Sequence, residues 1–390
     1  MKKYLLGLAV LMMGTAVMTS CSDDDDPAPA EVKSWYATGA YIVNSGNMYS
    51  NIESSLTGID YATSTATQGV FKAANGRSLG NTANDGIIYG DKMYIAVDQS
   101  NTIEVLDKYT KKSIKQVSTT ALLGDKDGQE PRHIIANSGN VYFTTYGGYV
   151  AAIDTTSFAL QAKYQVGNNP EGLAIGGNQL YVANSNYGQG GGNLSCIDLE
   201  TGKVTTKNIE GINNPTSVYD VYGALFVLDQ QYYDASYVAY GENALKLVDW
   251  ANGTSSKVVE GNYAALYMVQ SDPTTRMSLA YPDSYFYVVN APYTGEAPTY
   301  SCYNVLTRQT TTLNLSETPF SPAGIGVDPI TGNLFILSYN KGDNGYADYN
   351  GDGYVLQYQN NGTLLGKYNV GVGPCAIFFD AAVRTDFRDY

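Results

Sequence analysis

A short apolar pattern recurs seven times along the chain. Each copy begins with an aromatic residue, continues through two or three mainly apolar residues and ends in Asn, Asp, Ser or Thr. Aromatic and β-branched residues in such short runs are typical of buried β-strands. The copies begin at Tyr41, Tyr94, Tyr142, Tyr181, Phe226, Tyr287 and Phe335, positions that lie 39 to 61 residues apart.

Further apolar segments surround each of these anchor strands. A short strand, often opened by Pro, precedes the anchor, as at Pro131, Pro170, Pro215 and Pro322. A second apolar run follows it and ends in Asp, as at Asp107, Asp154, Asp198 and Asp249. Each Asp stands at a turn, where its carboxylate can accept backbone N–H groups, so a structural role is favoured over a functional one. The pattern predicts four strands per repeat.

A repeat of this length with four strands is typical of one propeller blade. We therefore predict an all-β, seven-bladed β-propeller over residues 38–390. The first repeat lacks its inner strand, whereas the chain ends with an unpaired segment, Gly373 to Phe379. We expect this C-terminal strand to complete the N-terminal blade and close the ring, which leaves no exposed sheet edge.

The connections that follow the anchor strands are long in five of the seven repeats and rich in Tyr and Asn. Up-and-down strand order brings all of them to one face, whereas the turns predicted on the opposite face are minimal. A single loop tyrosine is expected to pack on its neighbours, because the chain has 35 Tyr in 390 residues. Five long loops converging on one face instead indicate a binding surface.

Segments that connect successive blades enter the same face and are expected to bring amide and charged groups to the central funnel. With the loop tyrosines they form the predicted ligand-binding set: Asn75, Arg77, Arg132, His133, Tyr146, Asn169, Glu171, Asn184, Tyr187, Asn214, Tyr232, Tyr233, Tyr293 and Tyr339. Such groups suit a polar ligand with carbonyl or amide groups. His133 is open to two interpretations, a strand histidine with its own partner or a ligand to a metal carried by the bound molecule.

Composition argues against catalysis, resident cofactors and nucleic acid. A single His in the chain excludes a cluster of His ligands and an ordinary Ser/His arrangement, so we predict no catalytic residue, no cofactor and no metal site. The motif at Asp348 to Gly353 alternates oxygen ligands like a calcium loop but lacks the closing acid, and a hairpin held by Asx bonds is favoured. The formal net charge of −14 would repel phosphate backbones.

The N-terminus has the features of an exported lipoprotein. Residues 1–20 combine Lys2 and Lys3 with an apolar stretch too short to span a bilayer, and small residues precede Cys21. We predict a signal peptide over 1–20, lipidation of Cys21 and a flexible acidic and Pro-rich tether over 21–37. The expected location is the outer membrane, exposed at the cell surface; secretion without an anchor is the alternative. Cys196, Cys302 and Cys375 are expected to be free thiols.

The segments at residues 71–80, 87–95 and 169–174 resemble the YncE-like β-propeller lipoproteins of Bacteroidetes, and the likeness extends over residues 38 to 385. Within that group the chain is most similar to the BtuG surface lipoproteins. The resemblance implies capture of cobalamin or another corrinoid for a TonB-dependent outer-membrane transporter. An adhesion or scaffold propeller that binds another protein through the same Tyr-rich face is the alternative.

Overall fold

The computed structural model of the chain is a seven-bladed β-propeller, as the repeats predict. It describes residues 30–234, 236, 238–268, 283–292 and 296–388, and within them the side chains of residues 34–384. Each blade is an antiparallel sheet of four strands. All seven predicted anchor strands are the second strands of their blades.

The strands of each blade run from the central axis to the periphery. From inside to outside, blade 1 consists of Pro374–Arg388, Ala30–Asn44, Ser55–Asp60 and Thr65–Thr67. Blade 2 consists of Ala83–Tyr89, Lys92–Val97, Thr102–Asp107 and Ser113–Ser118. Blade 3 consists of Pro131–Asn137, Asn140–Thr145, Tyr149–Asp154 and Leu160–Gln165. Blade 4 consists of Pro170–Gly176, Gln179–Asn184, Asn193–Asp198 and Val204–Lys207.

The remaining three blades follow the same order. Blade 5 consists of Pro215–Val221, Ala224–Asp229, Ala244–Asp249 and Thr254–Glu260, with a small hairpin, Tyr232–Tyr233 and Ala239–Tyr240, in its long loop. Blade 6 consists of Tyr263–Met268, Ser284–Asn290, Thr299–Asn304 and Gln309–Thr312. Blade 7 consists of Ser321–Val327, Leu334–Tyr339, Asp352–Tyr358 and Leu364–Val372.

Helical structure in the described part of the chain is confined to connections between strands. A 3₁₀ turn, Met48–Ser50, lies in the long loop of blade 1. Two short α-helices, Val70–Asn75 and Thr119–Leu123, precede blades 2 and 3. None of the helices found among these residues has the length and apolar character needed to cross a membrane.

One apolar cluster fills each of the seven interfaces between blades. Anchor strands contribute to two clusters at once, because successive side chains point to opposite faces of a sheet. In blade 2, Met93 and Ile95 pack toward blade 1, whereas Tyr94 and Ala96 pack toward blade 3. Both faces of each blade are therefore buried, which explains why the anchor strands are continuous apolar runs rather than alternating ones.

The innermost strands contact one another around the axis. Blades 4 and 5 approach so closely that a Cβ atom on Gly172 would lie 2.8 Å from the Cα of Ser217. Blades 5 and 6 are joined by the Tyr219 hydroxyl, which donates a hydrogen bond of 2.8 Å to the carbonyl of Ala264. These contacts hold neighbouring inner strands together around the axis.

The C-terminal strand closes the ring as predicted. It pairs with the N-terminal strand along its whole length, from Asn44 opposite Pro374 to Ala30 opposite Arg388. Within this pair the rings of Tyr41 and Phe378 lie opposite each other and stack at 5.5 Å between centroids. The first blade thus combines strands from the N-terminal and C-terminal parts of the propeller sequence.

The expected Asp turns are present on the face with short connections. In one of them the carboxylate of Asp107 accepts hydrogen bonds from the backbone N–H groups of Tyr109 and Thr110, at 3.1 and 2.7 Å. The bonds to the backbone and hydroxyl of Thr110 lower the pKa of Asp107. Asp60, Asp154, Asp198 and Asp249 form the same kind of turn, so their role in the structure is local.

The prediction of loop placement holds for the five long loops, which all leave the ends of second strands and therefore lie on one face. The opposite face has one long connection between described strands that the sequence pattern did not predict. It joins Met268 to Ser284 in blade 6, and residues 269–282 of it lie outside the described residues.

The N-terminal boundary of the fold differs from the prediction. A flexible tether was expected to extend to residue 37, but the first strand begins at Ala30. Residues 30–37 pair with residues 381–388. The partner strand lies at the other end of the chain, so the local composition of residues 21–37 does not reveal that residues 30–37 form a strand. Cys21 and most of the predicted tether lie outside the described residues.

Shortening Phe378 should loosen the closure of the ring. Phe378 is buried, with 6% of its surface exposed, and Phe378→Ala is expected to lower the free energy of unfolding by about 3–5 kcal/mol. Urea unfolding followed by circular dichroism measures the change. Leu365→Ala, at a side chain that is 46% exposed in the last blade, is the matched control and should cost less than about 1 kcal/mol. Equal losses in the two variants would contradict the closing role of Phe378.

Candidate functional site

Six of the seven innermost strands carry a register shift near their first residue, on the side of the long loops. In blade 3, Pro131 pairs with Thr145 and Ile134 with Phe143, so Arg132 and His133 both face Thr144. Similar shifts occur in blades 1, 2, 4, 5 and 7. A bulge of this kind redirects a side chain, and bulges are common beside functional sites.

The shifted residues surround a cavity of about 410 Å³ on the propeller axis. Every blade contributes to its wall. Arg132, His133, Glu171, Thr216, Ala323 and Cys375 all line it and all lie at the register shifts. Since these residues stand near the starts of the inner strands, the cavity lies on the side of the long loops.

An ion-pair network forms the wall on the side of blades 2 to 4. The guanidinium of Arg132 contacts Asp98 Oδ2 at 2.6 Å through Nη1 and Glu171 Oε2 at 3.0 Å through Nε. Burial opposes the charge of Arg132, but the carboxylates of Glu171 and Asp98 outweigh that effect and its pKa is raised. The guanidinium also lies 4.7 Å from the ring centroid of Tyr146. Arg132 is therefore held on three sides.

Glu171 is the centre of this network, with only 4% of its surface exposed. The hydroxyl of Tyr146 donates a short hydrogen bond to its Oε1. Burial, reinforced by the negative charge of Glu171, raises the pKa of Tyr146, so this phenol stays protonated as a donor. The hydroxyl of Thr144 donates to the main-chain carbonyl of Glu171 at 2.9 Å.

His133 lies between two carboxylates at the edge of the network. Its Nδ1 is 3.2 Å from Oδ2 of Asp85, and its Nε2 is 3.6 Å from Oε2 of Glu171. The same oxygen of Asp85 accepts the backbone N–H of Ile134 at 3.1 Å. Of the two interpretations left open by the sequence, the structure supports a strand histidine with protein partners.

The other side of the cavity is uncharged. Blade 5 contributes Asn214, Thr216 and Ser217, and blades 6, 7 and 1 contribute mainly small and apolar groups. The amide oxygen of Asn214 is buried and has no hydrogen-bond partner among the described residues. The side-chain amide of Gln230 donates to the carbonyl of Asn262 at 2.5 Å. Asn214 is thus a polar residue of this wall whose amide oxygen lies beneath the cavity surface.

The long loops form a tyrosine-rich rim around this face. Tyr187 lines the cavity, is 68% exposed, and its ring lies 6.3 Å from that of Tyr146. Tyr232 stacks on Tyr240 at 5.4 Å within the loop of blade 5. Tyr339 contacts Tyr349 edge-on at 4.9 Å in blade 7. These rings therefore pack on one another within and between the loops, and Tyr187 is the one among them that combines high exposure with a place in the cavity wall.

Six of the fourteen predicted binding residues line the cavity together. They are Arg132, His133, Tyr146, Glu171, Tyr187 and Asn214. Tyr232, Tyr233 and Tyr339 lie on the loops of the same face. Asn169 precedes the inner strand of blade 4. Asn184 is buried beneath the loop of that blade, where its amide nitrogen donates to Asn193 and Ser195. Tyr293 lies outside the described residues.

The expected placement of Asn75 and Arg77 beside the funnel is wrong. The segment before blade 2 forms the helix Val70–Asn75, which packs at the periphery. Arg77 contacts the buried carboxylate of Glu104 at 2.8 Å, and Asn75 donates to the carbonyl of Lys111 at 2.9 Å. Both side chains thus tie the helix to the outer part of blade 2.

Several wall residues were missed by the sequence reasoning. They are Asp85, Thr216, Ser217, Gln230, Asn262, Tyr263 and Cys375. A positional signal was available for Thr216, Ser217 and Cys375, which stand one or two residues after Pro215 and Pro374. The predicted residues Arg132 and Glu171 likewise follow a strand-opening Pro directly. Applying that position to every blade would have found them.

The thiols and the calcium-like loop have local explanations. Cys196, Cys302 and Cys375 are free, as predicted. Burial raises the pKa of the Cys375 thiol to about 12, and its Sγ lies 3.3 Å from the carbonyl oxygen of Ala83. Asp348 accepts the backbone N–H groups of Asn350 and Gly351 at 3.0 and 2.9 Å, the expected Asx hairpin. No group of His, Cys, Asp and Glu suited to a metal ion occurs among the described residues.

Removing the guanidinium of Arg132 should destabilise the fold, because it leaves two buried carboxylates without their cation. In Arg132→Met the carboxylates of Glu171 and Asp98 lose their shared cation, and we expect the free energy of unfolding to fall by about 3 kcal/mol. Urea unfolding at neutral pH checks this. Arg308→Met, at an exposed turn residue, is the control and should change the value by less than about 1 kcal/mol. A loss no larger than in the control would show that the network contributes little.

Comparison with known proteins identifies the fold and the family. The chain is similar to a crystal structure of a functionally unknown protein from Desulfotomaculum acetoxidans, with a TM-score of 0.55, 11% identity and coverage of 88% of this chain and 99% of that one. It is also similar to hydrazine synthase from Kuenenia stuttgartiensis, with a TM-score of 0.51, 13% identity and coverage of 78% and 95%. At these identities the likeness shows the fold alone. No curated protein matches the chain. The profile described as "Domain of unknown function (DUF5074)" matches residues 38–379, and the chain therefore belongs to the DUF5074 family.

Proposed function

We propose that the chain is a binding protein that captures a small polar ligand in the axial cavity. The observation that carries this proposal is the convergence of all seven blades on one cavity of about 410 Å³ beneath the tyrosine-rich loops. Ligand sites are typically concave and combine apolar walls with a few placed polar groups. The cavity has that composition, with charged groups on one side and small apolar groups on the other.

The charged groups of the wall are already paired with one another, which suits a preorganised binding site. Glu171 already holds Arg132 and Tyr146, and His133 is paired with Asp85. Side chains held in this way keep their positions when a ligand enters, which lowers the entropic cost of binding.

A corrinoid is the ligand we propose. Its amide side chains suit the uncharged polar wall that Asn214, Thr216 and Ser217 contribute to, and its broad apolar face suits the exposed ring of Tyr187. The ring system would cover the mouth of the cavity while one side group enters it. We further propose that the chain is anchored through Cys21 in the outer membrane, is exposed at the cell surface and delivers the ligand to a TonB-dependent transporter.

One observation favours a second candidate function, binding of another protein. Tyr49, Tyr346 and Tyr349 are 91%, 75% and 53% exposed on the loops of blades 1 and 7. Those loops are joined by the amide of Asn47, which donates to Asn350 at 2.9 Å. None of the three tyrosines lines the cavity. Exposed aromatic residues on joined loops are typical of protein-binding surfaces, so an adhesion or scaffold role would use this part of the rim.

Titration with cyanocobalamin tests the proposed capture. The chain from residue 30 to 390 should bind with one-to-one stoichiometry, measured by calorimetry or by the corrinoid absorbance. Tyr187→Ala should weaken binding by about tenfold or more, because it removes an aromatic contact at the mouth of the cavity. Tyr109→Ala is the matched control, since Tyr109 is equally exposed, at 68%, but lies on the opposite face.

The outcomes separate the two candidate functions. Tight binding that Tyr187→Ala weakens and Tyr109→Ala leaves unchanged supports capture. Absence of heat and of any spectral change removes the corrinoid. Binding that survives Tyr187→Ala would place the ligand elsewhere and leave the axial cavity without its proposed role.

A further inference from the structure

A two-stranded ribbon extends the first blade beyond the other six. Residues 39–44 pair with both neighbouring strands of blade 1, but within the described part of the chain residues 30–37 pair only with residues 381–388. In every blade the second strand begins at the face with short connections. The ribbon therefore continues past that face, on the side opposite the cavity and the tyrosine-rich loops.

The ribbon presents apolar side chains to solvent. Trp35 and Val383 stand opposite each other in the register and are 52% and 45% exposed. Tyr36, on the other face of the ribbon, is 46% exposed. Trp35 is one of only two tryptophans in the chain. A pair of strands without a third strand or a covering layer is at best marginally stable in water, so an additional contact is expected here.

The distance along the chain to Cys21 identifies what that contact is. Eight residues separate Cys21 from Ala30, and an extended chain of this length spans at most about 30 Å. A lipid on Cys21 would therefore keep the ribbon close to the bilayer that holds it. Trp and Tyr are enriched at membrane–water interfaces, where their apolar rings and polar groups are both accommodated.

We propose that the ribbon of residues 30–37 and 381–388 rests on the lipid surface and inserts Trp35 into its interfacial layer. This inference rests on the proposed lipid anchor. It gives the propeller an orientation for ligand capture, because the face with short connections is directed toward the membrane and the cavity opens away from it; delivery to a transporter in the same membrane then requires the propeller to leave this contact.

Quenching by brominated lipid tests the contact. The chain from residue 21 to 390 is attached through an N-terminal hexahistidine tag to vesicles of brominated phosphatidylcholine that contain a nickel-chelating lipid. In the Trp250→Phe variant, which leaves Trp35 alone, roughly half of the emission should be lost relative to unbrominated vesicles, because the indole lies at the depth of the interface.

Two variants act as matched controls. Trp35→Phe leaves Trp250, whose indole contacts the ring of Tyr181 and the ammonium group of Lys207 within the propeller, and the emission of this variant should be unchanged. Tyr346→Trp combined with Trp35→Phe and Trp250→Phe places the single indole at an exposed position on the opposite face. The emission of this variant should also be unchanged by the brominated lipid.

The result that would overturn the proposal is quenching of Trp35 no greater than that of the Tyr346→Trp variant. Dimerisation through the ribbon in the absence of quenching would also overturn it and would identify a second copy of the chain as the partner. The tag makes this test independent of native lipidation. Lipidation is tested separately by detergent-phase partitioning of the exported full-length chain, which Cys21→Ala should abolish; failure there would remove the proposed anchor.

Discussion

The pairing of the N-terminal strand with the C-terminal strand holds the propeller together. Residues 39–44 and 374–380 are about as far apart in sequence as the fold allows, and bringing such distant segments together costs on the order of 5 kcal/mol in chain entropy. The buried side chains of Ile42, Val43 and Phe378 and the stacked ring of Tyr41 offset that cost. Because every interface between blades has its own apolar cluster, closure completes the last two interfaces and gives all seven blades the same surroundings.

The sequence revealed the architecture because a propeller is a local repeat. Each anchor strand is buried on both faces, and the resulting apolar run can be recognised without knowledge of its neighbours. The Asp turns are equally local, since Asp107 and the residues it binds are three positions apart or fewer. The ring closure was predictable from counting strands. The first repeat lacked an inner strand, and the C-terminal segment from Gly373 to Phe379 was an extra strand with no repeat of its own.

The site was predicted only in part, and the reasons are physical. The register shifts at Arg132, Glu171 and Thr216 insert a residue into one strand, and a pattern of alternating polarity does not show such an insertion. Asn75 and Arg77 were misplaced because a six-residue helix is too short to produce a clear periodicity. The strand at residues 30–37 was taken for tether because its partner lies at the other end of the chain.

The repeated register shift separates two tasks within each inner strand. The residues after the shift keep the ladder and the packing between blades, whereas the side chains at the shift line the cavity and, in Arg132 and Glu171, join the ion-pair network between blades. At equivalent places the chain has Arg, Glu, Thr, Ala and Cys, side chains that differ in size and charge, around an otherwise uniform ring. Such a scaffold could change its ligand one blade at a time, because a substitution at a shifted position leaves the backbone ladder between the inner and second strands in place.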